Sequence, residues 1–277
     1  MQEKNAPIGI FDSGLGGLTV AREVIRQIPN ERIVYFGDTA RVPYGSKSKD
    51  TIRHYSEQIV NFLYTKDVKA IVVACNTASA YALEEIRDTV KVPIIGVVKP
   101  GAFTATQSTR NKKIGVIGTE GTVHSDLYKR YIQQLDPAME VFQKACPLLC
   151  PLVEEGWWHD EITTSVVRRY LNGLMSAGID TLILGCTHYP LIRSTIRSVV
   201  GERVMLINPA YETAVELKHL LKDHGILSEE APAEQIGKAA EKYRFYVSDA
   251  PEKFDAFASS VLEFPVSPAE KVNIEAY

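Results

Sequence analysis

The sequence predicts an α/β protein of two similar domains, each a mainly parallel sheet flanked by helices. Three observations carry this. Short apolar runs rich in β-branched residues alternate with segments of helical period. Runs such as Ala70-Ile71-Val72-Val73-Ala74 are apolar on both faces, which suits strands covered by helices above and below. A faint internal repeat also pairs Pro7–Gly14 with Lys113–Glu120 and Ala70–Thr77 with Thr181–His188. Its offsets are 106 residues (7 to 113) and 111 residues (70 to 181).

The predicted strands, in order, are Ile8–Phe11, Ile33–Phe36, Ala70–Ala74, Pro93–Val97, Lys113–Ile117, Glu140–Gln143, Thr181–Leu184, Val204–Ile207 and Tyr243–Val247. Ser48–Thr65 carries Ile52, Tyr55, Ile59, Phe62 and Leu63 at helical spacing. Thr163–Met175 does the same with Val166, Val167, Tyr170, Leu171 and Leu174, so both read as amphipathic crossover helices. Further helices are expected over Ala78–Thr89, Tyr211–His224 and Pro251–Leu262.

Lys99-Pro100-Gly101 reads as a strand end where the chain crosses between domains, and Asn208-Pro209-Ala210 as the return. The expected domains are therefore 1–98 with 211–264, and 99–210, followed by a C-terminal tail at 265–277. Gly225–Gly237 is polar and acidic, as a connecting loop would be, and the tail after Phe264 is expected to be mobile.

With 277 residues, 45% of them hydrophobic and 23% charged, the chain has enough apolar material for a large core, and disorder is not expected. The net charge of −3 is interspersed along the sequence, with no basic runs interleaved with aromatics, which disfavours a nucleic-acid or acidic-membrane binder. No apolar run approaches the ~18 residues of a spanning helix. The start, Met1-Gln2-Glu3-Lys4-Asn5, lacks the tripartite order of a signal peptide, so the expected compartment is the cytoplasm, with reduced thiols.

Four cysteines in such a chain serve packing, metal binding or catalysis. Cys75-Asn76-Thr77 closes one predicted strand and opens a helix, where the helix dipole and free N–H groups are expected to stabilise a thiolate. Cys186-Thr187-His188-Tyr189-Pro190 repeats this arrangement and adds an imidazole two residues away. A single cysteine is most often a small buried hydrophobe, but the same strand–Cys–helix unit occurring twice points to chemistry. Cys146-Pro147-Leu148-Leu149-Cys150 has near-ligand spacing yet lacks a second cluster in the sequence. These two cysteines read as packing residues near a site wall, and Trp157-Trp158 as a core or interface anchor.

After the first strand, Asp12-Ser13-Gly14-Leu15-Gly16-Gly17 permits a sharp turn and close approach to a ligand. It lacks the endings of a P-loop or dinucleotide fingerprint, and alone it fits a tight turn with a helix N-cap equally well.

Four motifs together resemble the glutamate racemases of the aspartate/glutamate racemase family. They are Gly9–Gly17 (GIFDSGLGG), Tyr35–Gly45 (YFGDTARVPYG), Ala74–Ala78 (ACNTA) and Gly185–Leu191 (GCTHYPL), and the likeness runs from about residue 7 to 262. The resemblance implies an active site in the interdomain cleft that interconverts L- and D-glutamate for peptidoglycan synthesis, without cofactor or metal, in a homodimer. It implies that Cys75, assisted by Asp12, is the base acting on D-glutamate, and that Cys186, assisted by His188, acts on L-glutamate. Asp12, Ser13, Tyr44, Gly45, Asn76, Thr77, Thr119, Thr122, Thr187 and His188 match the substrate-holding set, with Glu154 also at the cleft. Asn208 stands where the family more often has Asp.

Inverting an α-carbon requires a proton to leave one face and another to arrive at the opposite face, which two fixed bases do better than one that swings. A relative acting on aspartate, an isomerase of a small diacid, or a two-domain binding protein remain as alternatives from the sequence. No feature specifically requires pyridoxal phosphate.

Overall fold

The computed structural model describes residues 4–229, 242–262, 264 and 266–277. Among the described residues, ten strands form two sheets that are parallel throughout. In the first, β1 (Ile8–Asp12), β2 (Ile33–Gly37), β3 (Ala70–Val73), β4 (Ile94–Gly96), β9 (Tyr243–Val247) and β10 (Glu270–Lys271) run in the order β10-β9-β2-β1-β3-β4. In the second, β5 (Lys113–Gly118), β6 (Glu140–Ala145), β7 (Thr181–Gly185) and β8 (Met205–Ile207) run in the order β6-β5-β7-β8. Strand for strand, β2-β1-β3-β4 and β6-β5-β7-β8 are the same arrangement. The repeat seen in the sequence, β1 with β5 and β3 with β7, therefore occupies equivalent positions in the two sheets.

Every residue of β1, β2, β3 and β7 is buried, as a doubly covered parallel sheet requires. Helix α2 (Lys49–Tyr64) starts where Ser48 Oγ accepts the Thr51 N–H at 3.3 Å, and it packs Ile52, Ile59, Phe62 and Leu63 against Phe36, Ile71 and Val73. Burying each of these large side chains stabilises the fold by about 1.5–3 kcal/mol. Helix α9 (Glu161–Ser176) is capped by Asp160 and lays Val167, Leu171 and Leu174 on the second sheet. Between the two sheets, α11 (Pro209–Asp223) packs against both α1 (Leu18–Gln27) and α5 (Val98–Ser108). One apolar core thus runs continuously from Ile10 and Tyr35 to Leu182 and Leu184. No helix among the described residues is long and apolar enough to cross a membrane.

Three expectations are corrected. Lys99-Pro100-Gly101 is not a strand end but lies in the first turn of α5, where proline's missing N–H has no partner to lose. Gly101 is there for contact, since a Cβ would stand 3.1 Å from the Pro209 ring at the start of α11. The helix expected over Ala78–Thr89 is two, α3 (Asn76–Tyr81) and α4 (Leu83–Arg87), joined through Ala82, and the break lets Leu83 and Ile86 reach the core. The tail after Phe264 is structured: β10 extends the sheet beside β9, Ile274 is buried, and Glu275 pairs with Arg41 at 3.1 Å. Of the Gly225–Gly237 loop, residues 230–237 lie outside the described residues. Trp158 packs on the core and donates its indole N–H to Val153 O at 2.8 Å, whereas Trp157 is exposed.

Away from the strands' carboxyl ends, Lys69 and Glu31 form a wholly buried ion pair at 2.5 Å. Lys69 also donates to Ile226 O at 2.8 Å, and Glu31 accepts the Ser228 N–H at 2.8 Å, tying the strand β3 entry to the segment after α11. Lys69→Met leaves a carboxylate buried without its counter-charge and is expected to cost about 3–5 kcal/mol. Adding Glu31→Leu should restore most of that loss. Urea unfolding of the single and double variants checks it; a loss below about 1 kcal/mol, typical of an exposed pair, would refute it.

Candidate active site

In open parallel sheets, ligand sites form beyond the carboxyl ends of the strands. Here those ends from both sheets meet at one place. The segment after β1 brings Asp12 and Ser13, the segment after β2 brings Asp38 and Tyr44, and β3 ends at Cys75. From the other side, β5 leads to Thr119 and β7 to Cys186, Thr187 and His188. Together they enclose a cavity of about 60 Å³ lined by Ser13, Gly14, Val42, Pro43, Tyr44, Gly45, Cys75, Asn76, Thr77, Thr119, Cys150, Glu154, Cys186, Thr187 and His188.

Close approach of the two sides depends on Gly16. A Cβ there would stand 2.4 Å from Thr187 Oγ1 and 2.5 Å from His188 Nδ1, closer than any real contact. Polar bonds then bridge the gap: Thr19 Oγ1 donates to Thr187 O at 2.8 Å, and Tyr128 OH to Asn76 Oδ1 at 2.7 Å. The hydroxyls of Thr77, Thr119 and Thr122 lie 2.7 to 3.3 Å from one another.

Cys75 caps α3, its sulfur accepting the Ala78 N–H at 3.5 Å while its S–H donates to Ser13 Oγ at 3.6 Å. The sequence predicts a stabilised thiolate here, and the structure reverses the sign. Burial, reinforced by the charge of Asp12, pushes the thiol up to about 12, outweighing the helix N–H and Ser13. Helix α3 has only six residues, too few to offset desolvation. Asp12 stands behind the cavity wall. Its carboxylate accepts the Gly14 N–H at 3.0 Å and the Thr187 hydroxyl at 3.4 Å, and burial raises its pKa against the pull of His188 and the loop N–H groups.

Cys186 sits 3.4 Å from Cys150 Sγ and 3.7 Å from His188 Nδ1. It opens a four-residue 3-10 turn, Tyr189–Ile192, and not directly an α-helix. The contact with Cys150, then burial, raises its thiol well above the ordinary value, although His188 acts the other way. Burial alone would lower the His188 pKa. Contacts with Cys186 and with Glu154, whose Oε1 lies 3.1 Å from Nε2, outweigh it and carry the pKa to about 10. The same hydrogen bond, with Lys253 3.6 Å away, holds the Glu154 carboxyl below its usual range despite burial.

The structure brings all the predicted catalytic and substrate-holding residues to this one place, although Asp12 and Thr122 adjoin the cavity without lining it. Tyr44 is held by a donated hydrogen bond to the buried Asp38, at 2.5 Å. Asn208 caps α11 through Oδ1, which accepts the Ala210 N–H at 3.2 Å, a bond an aspartate would make equally well. Cys150, expected as a packing residue near a site wall, lines the cavity itself and touches Cys186; it shares the short helix α8 (Leu149–Glu154) with Glu154. Their i, i+4 spacing puts both on one face, so placing Glu154 at the cleft carried Cys150 with it. Cys146, by contrast, turns into the core.

Two thiols, Cys75 and Cys186, line one sheltered cavity between the ends of two parallel sheets, which marks an α/β protein with a candidate active site there. Residues 8–217 match the family model for Asp/Glu/hydantoin racemases. A glutamate racemase of Geobacter metallireducens is 46% identical over 269 residues, covering 97% of each chain. Among solved structures, a glutamate racemase isoform of Bacillus anthracis superposes with a TM-score of 0.92 at 41% identity, covering 98% of each chain. Another, the Francisella tularensis glutamate racemase in complex with D-glutamate, gives 0.90 at 37% identity, covering 99% of this chain and 100% of that one. The chain belongs to the Asp/Glu/hydantoin racemase family, in its glutamate racemase branch.

Because the folded-state pKa of His188 is raised, its charged form contributes stability fully below the unfolded value near 6.5, and that contribution is lost as pH rises through about 10. NMR titration of the ring is expected to show imidazolium at neutral pH, and Glu154→Gln to lower the pKa. A ring titrating at the unperturbed value in the native chain would refute this.

Proposed function

We propose that this chain racemises glutamate by a two-base mechanism without metal or pyridoxal phosphate, supplying D-glutamate for peptidoglycan synthesis as a cytoplasmic homodimer. The observation that carries the reading is that Cys75, at the end of a strand of the first sheet, and Cys186, at the end of a strand of the second, line one cavity. Its substrate rests on the relatives' names and on the D-glutamate complex of one of them.

In this mechanism Cys75 removes the α-proton of D-glutamate and Cys186 delivers a proton to the other face; L-glutamate reacts in the reverse sense. Asp12 assists Cys75, its negative charge making the thiolate a stronger base once formed. His188, with Glu154 behind it, assists Cys186 by holding a proton within reach of its sulfur. Ser13, Tyr44, Gly45, Asn76, Thr77, Thr119 and Thr187 hold the substrate's carboxylates and ammonium, with Thr122 fixing the hydroxyl cluster. The hydroxyls of Ser13, Thr77, Thr119 and Thr187 at the strand ends accommodate an anionic ligand on a chain of net charge −3. The domains are assigned as 1–98 with 211–264, and 99–210, with 265–277 as a tail whose strand β10 joins the sheet of the first.

Circular dichroism of L-glutamate, D-glutamate and L-aspartate tests the reading. Optical activity is expected to vanish with glutamate alone, and Cys75→Ser or Cys186→Ser to slow this by about 10²–10⁴-fold or more. In D₂O each enantiomer should acquire deuterium at Cα as it inverts. Racemisation undiminished by both substitutions, or a Schiff-base absorbance in the active protein, would overturn the two-thiol mechanism. Loss of signal with aspartate instead would overturn the substrate.

A further inference from the structure

We propose that Cys150, Cys186 and His188 form a binding site for a soft divalent cation of the zinc and cadmium class, and that the bound ion inhibits the enzyme. The three residues come from two separate elements, α8 and the end of β7. One donor atom from each lies within 4.8 Å of the other two.

The spacing fits an ion. Tetrahedral bonds of about 2.3 Å to sulfur and about 2.0 Å to nitrogen set sulfur–sulfur at about 3.8 Å and sulfur–nitrogen at about 3.6 Å. The observed separations are 3.4 Å for the two sulfurs and 3.7 Å from Cys186 Sγ to His188 Nδ1. These two separations lie within a few tenths of an ångström of the ideal, and the third, from the Cys150 sulfur to the imidazole, lies within 4.8 Å.

The surroundings fit as well. Glu154 holds Nε2 of the imidazole at 3.1 Å, leaving Nδ1 turned toward the sulfurs, the carboxylate–histidine support that metal-binding histidines use. Two thiolates and an imidazole favour zinc or cadmium over magnesium or calcium. All three donors line the cavity, so an ion can enter and its fourth position faces the substrate space. Cys146 is excluded, being buried with its S–H directed to Lys144 O at 3.5 Å.

Binding is a proton exchange with no redox change: each thiol, and the His188 imidazolium at Nδ1, releases its proton to solvent as its donor atom takes up the ion. A coordinated Cys186 sulfur can neither accept nor deliver a proton. Inhibition therefore rests on the role proposed above for Cys186, whereas binding does not.

The test uses Co²⁺ as spectroscopic probe and Zn²⁺ as competitor, on the full reduced chain, with racemisation followed in parallel. One Co²⁺ per chain is expected, with a near-ultraviolet thiolate-to-cobalt band that Zn²⁺ abolishes. Cys150→Val, which keeps the side chain's bulk, and Cys150→Ser should each remove that band and weaken binding at least about 100-fold. Glu154→Gln should weaken it about 10–100-fold. Zn²⁺ should inhibit the wild type reversibly, with recovery on chelation, and leave both Cys150 variants active at the same concentration. Absence of a thiolate band in the wild type, or affinity unchanged in both Cys150 variants, would overturn the site. Full occupancy through these residues with racemisation continuing would leave the site standing and overturn the role of Cys186.

Discussion

The site depends on how closely the loop after β1 lies against the loop after β7. Gly16 occupies that contact, and any side chain there would intrude on Thr187 and His188. Once the loops touch, the bonds from Thr19 to Thr187 and from Tyr128 to Asn76 are buried. Hydrogen bonds of this kind contribute only about 0.5–1.5 kcal/mol each, but leaving their partners unmet would cost more. The buried polar network thus fixes one relative placement of the sheet ends, and the placement of the two thiols follows from it.

A second set of contacts holds the opposite wall. Asp38, buried after β2, accepts from Tyr44, from Arg41 at 2.7 Å and from Ser248 at 2.8 Å. Arg41 also reaches Glu275 and lies over the Tyr55 ring at 3.9 Å. The last residues of the chain are therefore two side chains removed from a cavity-lining tyrosine. This accounts for the order of a tail that looks, by composition, free to move.

Much of the architecture was legible because it is written in local patterns. The runs around Ile10, Val72 and Ile183 are apolar on both faces, which specifies buried parallel strands, and the Cys-plus-helix unit recurs at equivalent strands. What escaped was set by distant contacts. Pro100 and Gly101 carry the composition of a break, yet at the first turn of a helix proline loses nothing and glycine admits Pro209. The tail's ion pair to Arg41 joins residues 234 positions apart, and its two-residue strand is too short for any periodicity to show. Cys150 looked like packing beside Cys146 because spacing along the chain does not reveal which of the two faces the cavity. For Cys75 the strand–Cys–helix unit is present as the sequence predicts, but the thiol is raised and not lowered, since burial cannot be weighed from sequence.

That reversal bears on the chemistry. On the proposed two-thiol mechanism, an α-proton is weakly acidic and a thiolate of ordinary strength would match it poorly, whereas burial makes each thiolate rarer but more basic once formed. The neighbours then differ between the two sides. Cys75 faces the negative charge of Asp12, which strengthens it further as a base, while Cys186 faces a histidine whose charge favours the thiolate. On the two-thiol reading, pseudo-symmetric sheets present chemically unequal bases to the two faces of one carbon. A substrate whose two enantiomers are equal in free energy does not demand equal bases. It demands only that the whole path, including binding and release, balance in the two directions. The fold supplies the geometric symmetry, and Asp12 and His188 leave each thiol to be tuned separately.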